Sequence, residues 1–169
     1  KCRLIKENPF RGVTHRVGEP RRNMTPAEFQ AILRASATPY RRTKITPAAR
    51  FRQILFFLWF TGCRPSEACK LRWSEVDVER AVIVLKEHKT RRTQRTPRPR
   101  VIPLHPVVVK LLIWLRKQGE GEHVFLTHRK TPWDKDSLAL RLSRARTKAG
   151  VPADAKVYCG LHDSNAALL

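Results

Sequence analysis

Apolar and polar positions recur with helical spacing in the segment 24–36, MTPAEFQAILRAS. Phe29 and Ile32 share one face of a helix with this spacing, and polar residues occupy the other faces. Thr25 suits the N-cap position, and Glu28, three residues later, completes a capping box in which each side chain bonds the other residue's backbone N–H. The segment is therefore predicted to form the first helix.

A longer apolar run lies in a second predicted helix, which opens at 46–47, Thr-Pro. Nearly every position from Ile54 to Phe60 is apolar, and a helix that is apolar all round lies in the centre of a domain. Gly62 is predicted to end this helix, because glycine readily adopts the left-handed conformation that follows many helices. A third helix is predicted to begin at once, with Pro65 at its first position.

The remaining pattern alternates between strands and helices. Two segments rich in β-branched residues predict strands joined by a polar, cationic hairpin. An amphipathic helix, a short strand and a cationic helix closed by a glycine are predicted to follow. In order, these elements occupy 78–87, 98–104, 105–118, 123–127 and 135–150. The predicted fold class is α+β, mostly helical with a small antiparallel sheet.

The charge of the chain narrows the class of partner. The sequence contains 35 Lys and Arg against 14 Asp and Glu, a net charge of +21, so most cations have no acidic partner within the chain. Such a chain repels itself unless a polyanion neutralises it. Nucleic acid is the first candidate partner and an anionic membrane surface the second. The basic residues lie largely on predicted elements, which counts against an RNA-binding ribosomal-type protein with long basic tails.

Three further classes of structure are not expected from the sequence. No apolar run reaches the roughly 18 residues that span a bilayer, so we expect no membrane-spanning helix, and with nucleic acid as the first candidate we expect no membrane partner. No signal peptide is evident, so we expect a cytoplasmic location. The four cysteines lie far apart, and CGLH at 159–162 has the spacing of half a metal site without a second half, so neither disulfides nor a metal is expected.

Arg64 is the first candidate for a binding site. It stands where the third helix begins, and a helix start favours an anion because its N–H groups are unpaired. A guanidinium there would add two parallel donors that match phosphate oxygens. The alternative is a surface arginine that pairs with Glu67 or Glu75.

The hairpin between the two predicted strands is the second candidate. Between residues 86 and 100 there are seven Lys and Arg and one acidic residue, a composition suited to tracking a phosphate backbone. The alternative is a solvated run of charge. The predicted DNA-binding residues are Lys86, Arg91, Arg92, Arg95, Arg98 and Arg100. Lys89 lies in the same segment and is considered separately below.

Two motifs resemble those of the tyrosine recombinase (phage integrase) family. TGCRPSEACKLRW at 61–73 is similar to the family's first arginine box, roughly T-G-x-R-x-S-E-x-x-x-L-x-W. HKTRRTQRTPRPRVIPL at 88–104 is similar to the family's β-hairpin, K-T-x(n)-R-x-(I/V)-P-L. The resemblance runs from about residue 23 to 162. It implies a DNA breaking-rejoining catalytic-domain fold.

The resemblance also implies a function in DNA integration and recombination. In that family a tyrosine cuts one DNA strand and forms a 3′-phosphotyrosine bond, without a metal or nucleotide cofactor. Arg64 would be the first arginine, which neutralises phosphate oxygens, and Lys89 would be the general acid for the departing 5′ oxygen. Double-stranded DNA would be the partner, with a homo-oligomer forming on it and the protein associated with the nucleoid.

The chain departs from the family at its second box, H-x-L-R-H or Y-x-L-R-H. VYCGLHDSNAALL at 157–169 occupies that place, and the expected arginine is absent. Either His162 stands where the arginine should be, or His162 is the histidine that follows it; a plain buried turn is a further interpretation. Neither Tyr40 nor Tyr158 has the position of the nucleophile. The chain is therefore expected to bind DNA without turnover.

The resemblance divides the chain into two parts. Residues 1–22 are interpreted as a basic linker from a missing N-terminal DNA-binding domain. Residues 23–169 are interpreted as a partial catalytic domain that lacks its C-terminal end. The competing interpretation is a non-enzymatic basic nucleic-acid-binding module. The recombinase interpretation requires Arg64 and Lys89 to face one basic groove, whereas the module does not.

Overall fold

Five α-helices and a small sheet make up the described part of the chain in a computed structural model. The structure describes residues 22–36, 47–86, 99–119 and 121–155. The helices are α1 (Pro26–Ala35), α2 (Pro47–Thr61), α3 (Pro65–Lys70), α4 (Pro106–Lys117) and α5 (Lys135–Ala149), and a 3₁₀ turn spans Trp73–Glu75. The strands are β1 (Val76–Asp77), β2 (Val82–Leu85) and β3 (Arg100–Pro103). The predicted class, mostly helical with a small antiparallel sheet, is confirmed.

The ends of the helices follow the local signals in the sequence. The Thr25 hydroxyl accepts from the Glu28 N–H at 3.2 Å, and the Glu28 carboxylate accepts from the Thr25 N–H at 2.8 Å, so the predicted capping box is present. Gly62 and Gly150 follow α2 and α5 with φ values of 59° and 67°. Glycine adopts this left-handed conformation without the steric cost that a Cβ brings.

Helix α2 lies at the centre of the core, as its apolar run predicts. Phe51, Ile54, Leu55, Phe57 and Leu58 on α2 are fully buried. The Trp59 ring stacks on Phe29 of α1, with ring centroids 4.2 Å apart, and the Phe57 ring packs against Phe125 at 4.8 Å. Helix α1 also packs against α5. The buried central helix thus fixes the place where α3 begins.

The sheet is antiparallel in the order β1-β2-β3. Leu85 pairs with Arg100 and Ile83 with Ile102. Residues 86 and 99 therefore stand next to each other at the end of this strand pair. The inward-facing side chains Ile83, Leu85 and Ile102 are buried, and Val101 on the opposite face is 56% exposed. This alternation is what a sheet with one buried face requires. Because residues two apart share a face of a strand, Arg100 lies on the same side of β3 as the buried Ile102.

The strand predicted for 123–127 is wrong. His123 makes only an isolated bridge to Arg72, and Leu126 makes another to Pro132. The segment resembles a strand because three consecutive apolar residues, 124–126, occur in it. All three are buried, and no strand of the described residues runs beside them. Tertiary burial, not a ladder of hydrogen bonds, accounts for the apolar run.

Candidate phosphate-binding site

Glu67 and two arginines form the main charged site of the described residues, which we call the Glu67 cluster (Arg64, Glu67 and Arg100). The Glu67 side chain is 6% exposed, whereas those of Arg64 and Arg100 are 41% and 24% exposed. Arg64 Nη1 lies 2.8 Å from Glu67 Oε1, and Arg100 Nη1 lies 2.9 Å from Glu67 Oε2. One buried carboxylate therefore holds two partly exposed guanidinium groups.

The backbone explains why Glu67 can reach both arginines. Arg64 is the N-cap residue of α3, and Glu67 occupies the third helical position. The Arg64 N–H donates to Glu67 Oε2 at 3.1 Å, so the carboxylate satisfies one of the N–H groups that a helix start leaves unpaired. The antiparallel register of β2 and β3 then brings Arg100, 33 positions further along the chain, to the same carboxylate, where its Nη1 donates to Oε2 at 2.9 Å and to Oε1 at 3.2 Å.

The arrangement favours the ionised carboxylate. Burial acts to raise the pKa of Glu67, but the hydrogen bonds from Arg64 and the charges of both arginines outweigh it, so the pKa lies below its ordinary value. The cluster thus carries two positive charges and one negative charge. Cys63 lies beside it, with its Sγ 3.6 Å from Glu67 Oε2. Burial and the Glu67 carboxylate raise the pKa of the Cys63 thiol well above its ordinary value, so the thiol stays protonated.

The two interpretations of Arg64 can now be compared. Arg64 does pair with Glu67, as the structural alternative predicted, and the anion at the start of α3 is Glu67 itself. Glu75 instead accepts from the backbone N–H of Arg72 at 3.1 Å. The pairing leaves Arg64 well exposed, and among the described residues only its backbone N–H and Nη1 have an acceptor. The pairing therefore orients Arg64 and leaves donors on it for a second anion.

The other predicted site residues are distributed as follows. Lys86 is exposed and directly follows Leu85, the partner of Arg100 across the two strands. Lys86 and Arg100 thus mark the base of the predicted hairpin. The predicted residues Lys89, Arg91, Arg92, Arg95, Arg98 and His162 lie outside the described residues, as do Tyr40 and Tyr158. The required convergence of Arg64 and Lys89 therefore stays a prediction.

The link between Arg64 and Arg100 was missed by the sequence analysis. The spacing of Arg64 and Glu67 at i and i+3 indicated their pairing, because residues three apart are neighbours on a helix. The signal for the second contact was the position of Arg100 in the hairpin motif, but the register of two strands decides which side chain reaches α3.

The described residues contain no group of three or more His, Cys, Asp or Glu side chains that could hold a metal ion. In the same residues, no helix has the length and apolarity needed to span a membrane. The cluster itself offers donors of hydrogen bonds and a net positive charge, which suit an oxyanion.

The model of the phage integrase family matches residues 22–158. The chain belongs to the phage integrase family. The match includes both arginine-bearing motifs, the start of α3 and the end of β3. It favours the recombinase interpretation over an unrelated basic module. No curated protein sequence matches the chain at a significant level.

Solved integrase structures resemble this fold. XerA recombinase is 18% identical with a TM-score of 0.63, over 92% of this chain and 52% of its own. The lambda integrase catalytic core is 20% identical with a TM-score of 0.63, over 88% of this chain and 82% of its own. The Tn1549 transposon integrase in complex with transposon right end DNA is 20% identical with a TM-score of 0.68, over 96% of this chain and 60% of its own.

These likenesses establish the fold. The chain spans about half of the length of XerA recombinase, at 52%, and 40% of one lambda integrase chain in a dimer bound to a COC' core site. It covers most of the catalytic core alone. The described elements are thus those of an integrase catalytic core.

Proposed function

We propose that this chain binds duplex DNA as part of a tyrosine-type recombinase and holds a backbone phosphate between Arg64 and Arg100. The observation that supports this proposal is the Glu67 cluster, in which one carboxylate orients both guanidinium groups. The solved relatives include lambda integrase bound to a core site and to a Holliday junction, and family membership extends the expectation of DNA binding to this chain.

Charge and orientation favour a phosphate at the cluster. The two arginines exceed the single carboxylate by one positive charge, so the site attracts an anion even with the ion pairs in place. Arginine donates from a rigid planar fork that matches phosphate oxygens, and Glu67 fixes one edge of each fork. A site whose donors are already oriented loses little side-chain entropy when the anion binds.

In strand transfer, the two guanidinium groups would neutralise charge that builds up on the non-bridging phosphate oxygens. Fixed donors of this kind stabilise a transition state more than flexible ones, because they need no reorganisation during the reaction. Arg100 would supply the second guanidinium in a chain whose second box lacks the expected arginine. Lys89 would occupy the place of the family's general acid and His162 that of its assisting residue, but neither Tyr40 nor Tyr158 has the position of the nucleophile, so we propose that the chain binds DNA without turnover.

The proposal has consequences for the rest of the chain. The basic residues of 86–100 would contact the flanking backbone, and residues 1–22 would link this domain to an N-terminal DNA-binding domain. Copies of the chain would assemble on DNA, as lambda integrase does in a dimer bound to a COC' core site and in a tetramer bound to a Holliday junction. DNA as the partner would place the protein with the nucleoid in the cytoplasm.

The experiment that tests the proposal measures binding of a fluorescently labelled duplex by anisotropy. Arg64→Ala and Arg100→Ala should each weaken binding by about 1.5–3 kcal/mol, the worth of a hydrogen bond to a charged group. Arg80→Ala is the matched control, because Arg80 is 84% exposed and pairs only with Asp77 at 3.7 Å in the described residues. Equal affinities for all three variants would contradict the phosphate site.

A further inference from the structure

An apolar groove of about 420 Å³ lies between α1, α2 and α4. We call it the α2–α4 groove, and the described residues that line it are Leu33, Arg52, Gln53, Phe56, Val107 and Leu111. None of these residues belongs to the Glu67 cluster. Concave apolar surfaces that are open to solvent are typical of sites where another molecule binds.

The outer side of α4 continues the apolar surface of the groove. Val107 is 41% exposed and Trp114 is 45% exposed, and Leu111 between them is partly buried. Residues at i, i+4 and i+7 lie on one face of a helix, so these three side chains form a stripe about 10 Å long. The side of α4 that faces the core is formed by other residues, Val108, Leu112 and Leu115. The stripe is therefore a second apolar face, and much of it is open to solvent in the described part of the chain.

Aromatic side chains of α2 form the opposite side of the groove. Phe56 is partly buried, and its ring packs against that of Phe60 with the centroids 4.5 Å apart. The Phe60 ring in turn stacks on His105, the N-cap residue of α4, at 5.5 Å. These contacts hold α2 against the start of α4, so the groove is formed before any partner binds. A preformed groove loses little conformational entropy on binding.

The two long helices beside the groove carry cations and no carboxylates. Arg52 on α2 is exposed and lines the groove, and Lys110 on α4 is exposed and stands one turn after Val107. Neither α2 nor α4 contains an Asp or Glu, so neither helix supplies a carboxylate to these cations. A charged rim favours partners of the opposite sign and repels those of the same sign. The groove therefore suits an apolar partner with acidic flanks.

We propose that the α2–α4 groove binds an amphipathic helix of a separate protein, whose acidic residues pair with Arg52 and Lys110. Helices bound in grooves make contact through apolar residues at i, i+3 or i+4 and i+7. Such residues span about 10 Å, which matches the stripe on α4. A second copy of this chain fits less well, because its net charge of +21 would bring further cations to the rim. The proposal goes beyond the proposed function and does not depend on it.

The test measures binding of a fluorescently labelled synthetic peptide to the full chain by anisotropy. The peptide has about 15 residues, the length at which a helix begins to be stable alone, with leucine at i, i+3 and i+7 and glutamate on both sides of this stripe. A scrambled peptide of the same composition lacks the stripe, and a charge-reversed peptide carries lysine in place of each glutamate. Both control peptides should bind about tenfold more weakly or less.

Val107→Glu and Ile113→Glu are a matched pair of variants. Both residues lie on α4 and are 41% exposed, but only Val107 lines the groove. Val107→Glu should weaken binding of the acidic peptide about tenfold, because it places a like charge in the apolar site. Ile113→Glu should change the affinity by less than about twofold, as surface substitutions outside an interface do.

A second pair of variants tests the rim of the groove. Arg52→Gln should slow association of the acidic peptide and flatten the dependence of its association rate on salt, because rim charges act mainly on association. Arg80→Gln removes an exposed charge outside the groove and should leave both quantities unchanged. This pair keeps the proposal testable even if Val107→Glu lowers the stability of the fold in a thermal melt.

Three results would overturn the proposal. The first is equal affinity of the acidic and scrambled peptides, and the second is equal binding of the acidic peptide by Val107→Glu and Ile113→Glu. The third uses a peptide of residues 157–169, which is largely apolar and contains Asp163. If this peptide binds in a way that depends on Val107 and the acidic peptide does not, the groove serves a segment of the chain itself.

Duplex DNA binding separates this proposal from the proposed function. Val107→Glu and Ile113→Glu each add one negative charge, so both should lower duplex affinity equally. A larger loss for Val107→Glu would mean that nucleic acid occupies the groove, and the proposal of a protein partner would fail. If Arg64→Ala binds duplex DNA as the unchanged chain does while the acidic peptide distinguishes Val107→Glu from Ile113→Glu, the phosphate site fails and the groove proposal stands.

Discussion

The Glu67 cluster and a second cationic region orient arginine in two different ways; the second region, which we call the α1–α5 groove, is lined by Phe51, Trp133, Arg141, Arg144 and Lys148. In the cluster, a carboxylate that is 6% exposed grips two guanidinium groups through hydrogen bonds of 2.8 and 2.9 Å. In the groove, two aromatic rings support Arg141 from its face, and the described residues that line the groove include no acidic one. Within the described part of the chain, the cluster is thus partly neutralised, whereas the groove is not.

This difference predicts different effects of substitutions at the two regions on the stability of the fold and on DNA binding. Removing Glu67 would leave two guanidinium groups without their carboxylate, and Arg100 is only 24% exposed, so the loss of this partner destabilises the fold. An arginine that stacks on aromatic rings is attracted to them through its charge, and its hydrogen-bonding edge stays available to an anion. We therefore expect changes at the cluster to affect both folding and DNA binding, and changes at the groove to affect mainly DNA binding.

The largest effect is expected from Glu67→Gln, which removes the carboxylate that distinguishes the cluster from the α1–α5 groove. The amide cannot neutralise two guanidinium groups and offers one acceptor in place of two. We expect a loss of about 2 kcal/mol in the free energy of unfolding, which is less than for a fully buried pair because both arginines are partly exposed. For a chain of this size the melting temperature should fall by about 4–8 °C.

The control for this variant is Glu79→Gln, which removes one exposed carboxylate and should leave the urea unfolding curve unchanged. A Glu67→Gln protein as stable as the Glu79→Gln protein would mean that the cluster contributes nothing to the fold. The difference between the two regions would then rest on DNA binding alone.

A smaller loss in the free energy of unfolding is expected when the pH is lowered and Glu67 becomes protonated. The pKa of Glu67 lies below its ordinary value of 4.5 in the folded chain, so the unfolded chain binds its proton first as the pH falls. The stability that Glu67 provides is therefore fully present above about pH 4.5 and is lost as the pH falls through the folded pKa. Urea unfolding of the unchanged chain and of Glu67→Gln between pH 7 and 3 checks this.

The two stability curves should converge at low pH, because the difference between a protonated carboxyl and an amide is small. Glu28 also has a pKa lowered to about 2, by hydrogen bonds from Arg22 and Thr25, and it titrates in both proteins. Its contribution therefore cancels in the comparison. A constant gap between the curves from pH 7 to 3 would show that Glu67 acts through packing and not through its charge.

Local signals determined which parts of this molecule could be predicted. The capping box of Thr25 and Glu28 and the glycines at 62 and 150 depend on neighbours in sequence, and each was predicted correctly. The contact of Glu67 with Arg100 depends on the register of β2 against β3, which no local pattern encodes. The short apolar run at 124–126 misled for the same reason, since burial by distant elements resembles a strand pattern.

The cationic helix that forms the wall of the α1–α5 groove was predicted from the sequence, but the aromatic floor beneath it was not. Phe51, Trp133 and Arg141 come from separate elements, and each is ordinary in its own segment. Only the packing of α5 against α1 and α2 brings a cation over two rings. By contrast, the arginine at the start of α3 could be selected from its motif, and the structure added its partner. The roles of Lys89 and His162 stay predictions.

The smallest effect on stability, and a direct way to sharpen the comparison, is expected from Leu140→Glu. Leu140 lines the groove and is 54% exposed, so a carboxylate there would be solvated and would stand four residues before Arg144. A Glu-to-Arg pair with this spacing and direction stabilises a helix by about 0.2–0.5 kcal/mol. The change gives the groove the internal anion that the Glu67 cluster already has.

DNA affinity should fall severalfold while the melting temperature stays within about 2 °C. Leu140→Gln is the matched control, because it removes the same apolar side chain without adding charge and should bind DNA as the unchanged chain does. Anisotropy at low salt and a thermal melt of each protein check both expectations. Equal DNA affinity for Leu140→Glu and Leu140→Gln would show that the charge of the groove plays no part in binding, and the cluster would then be the only one of the two sites that contacts phosphate.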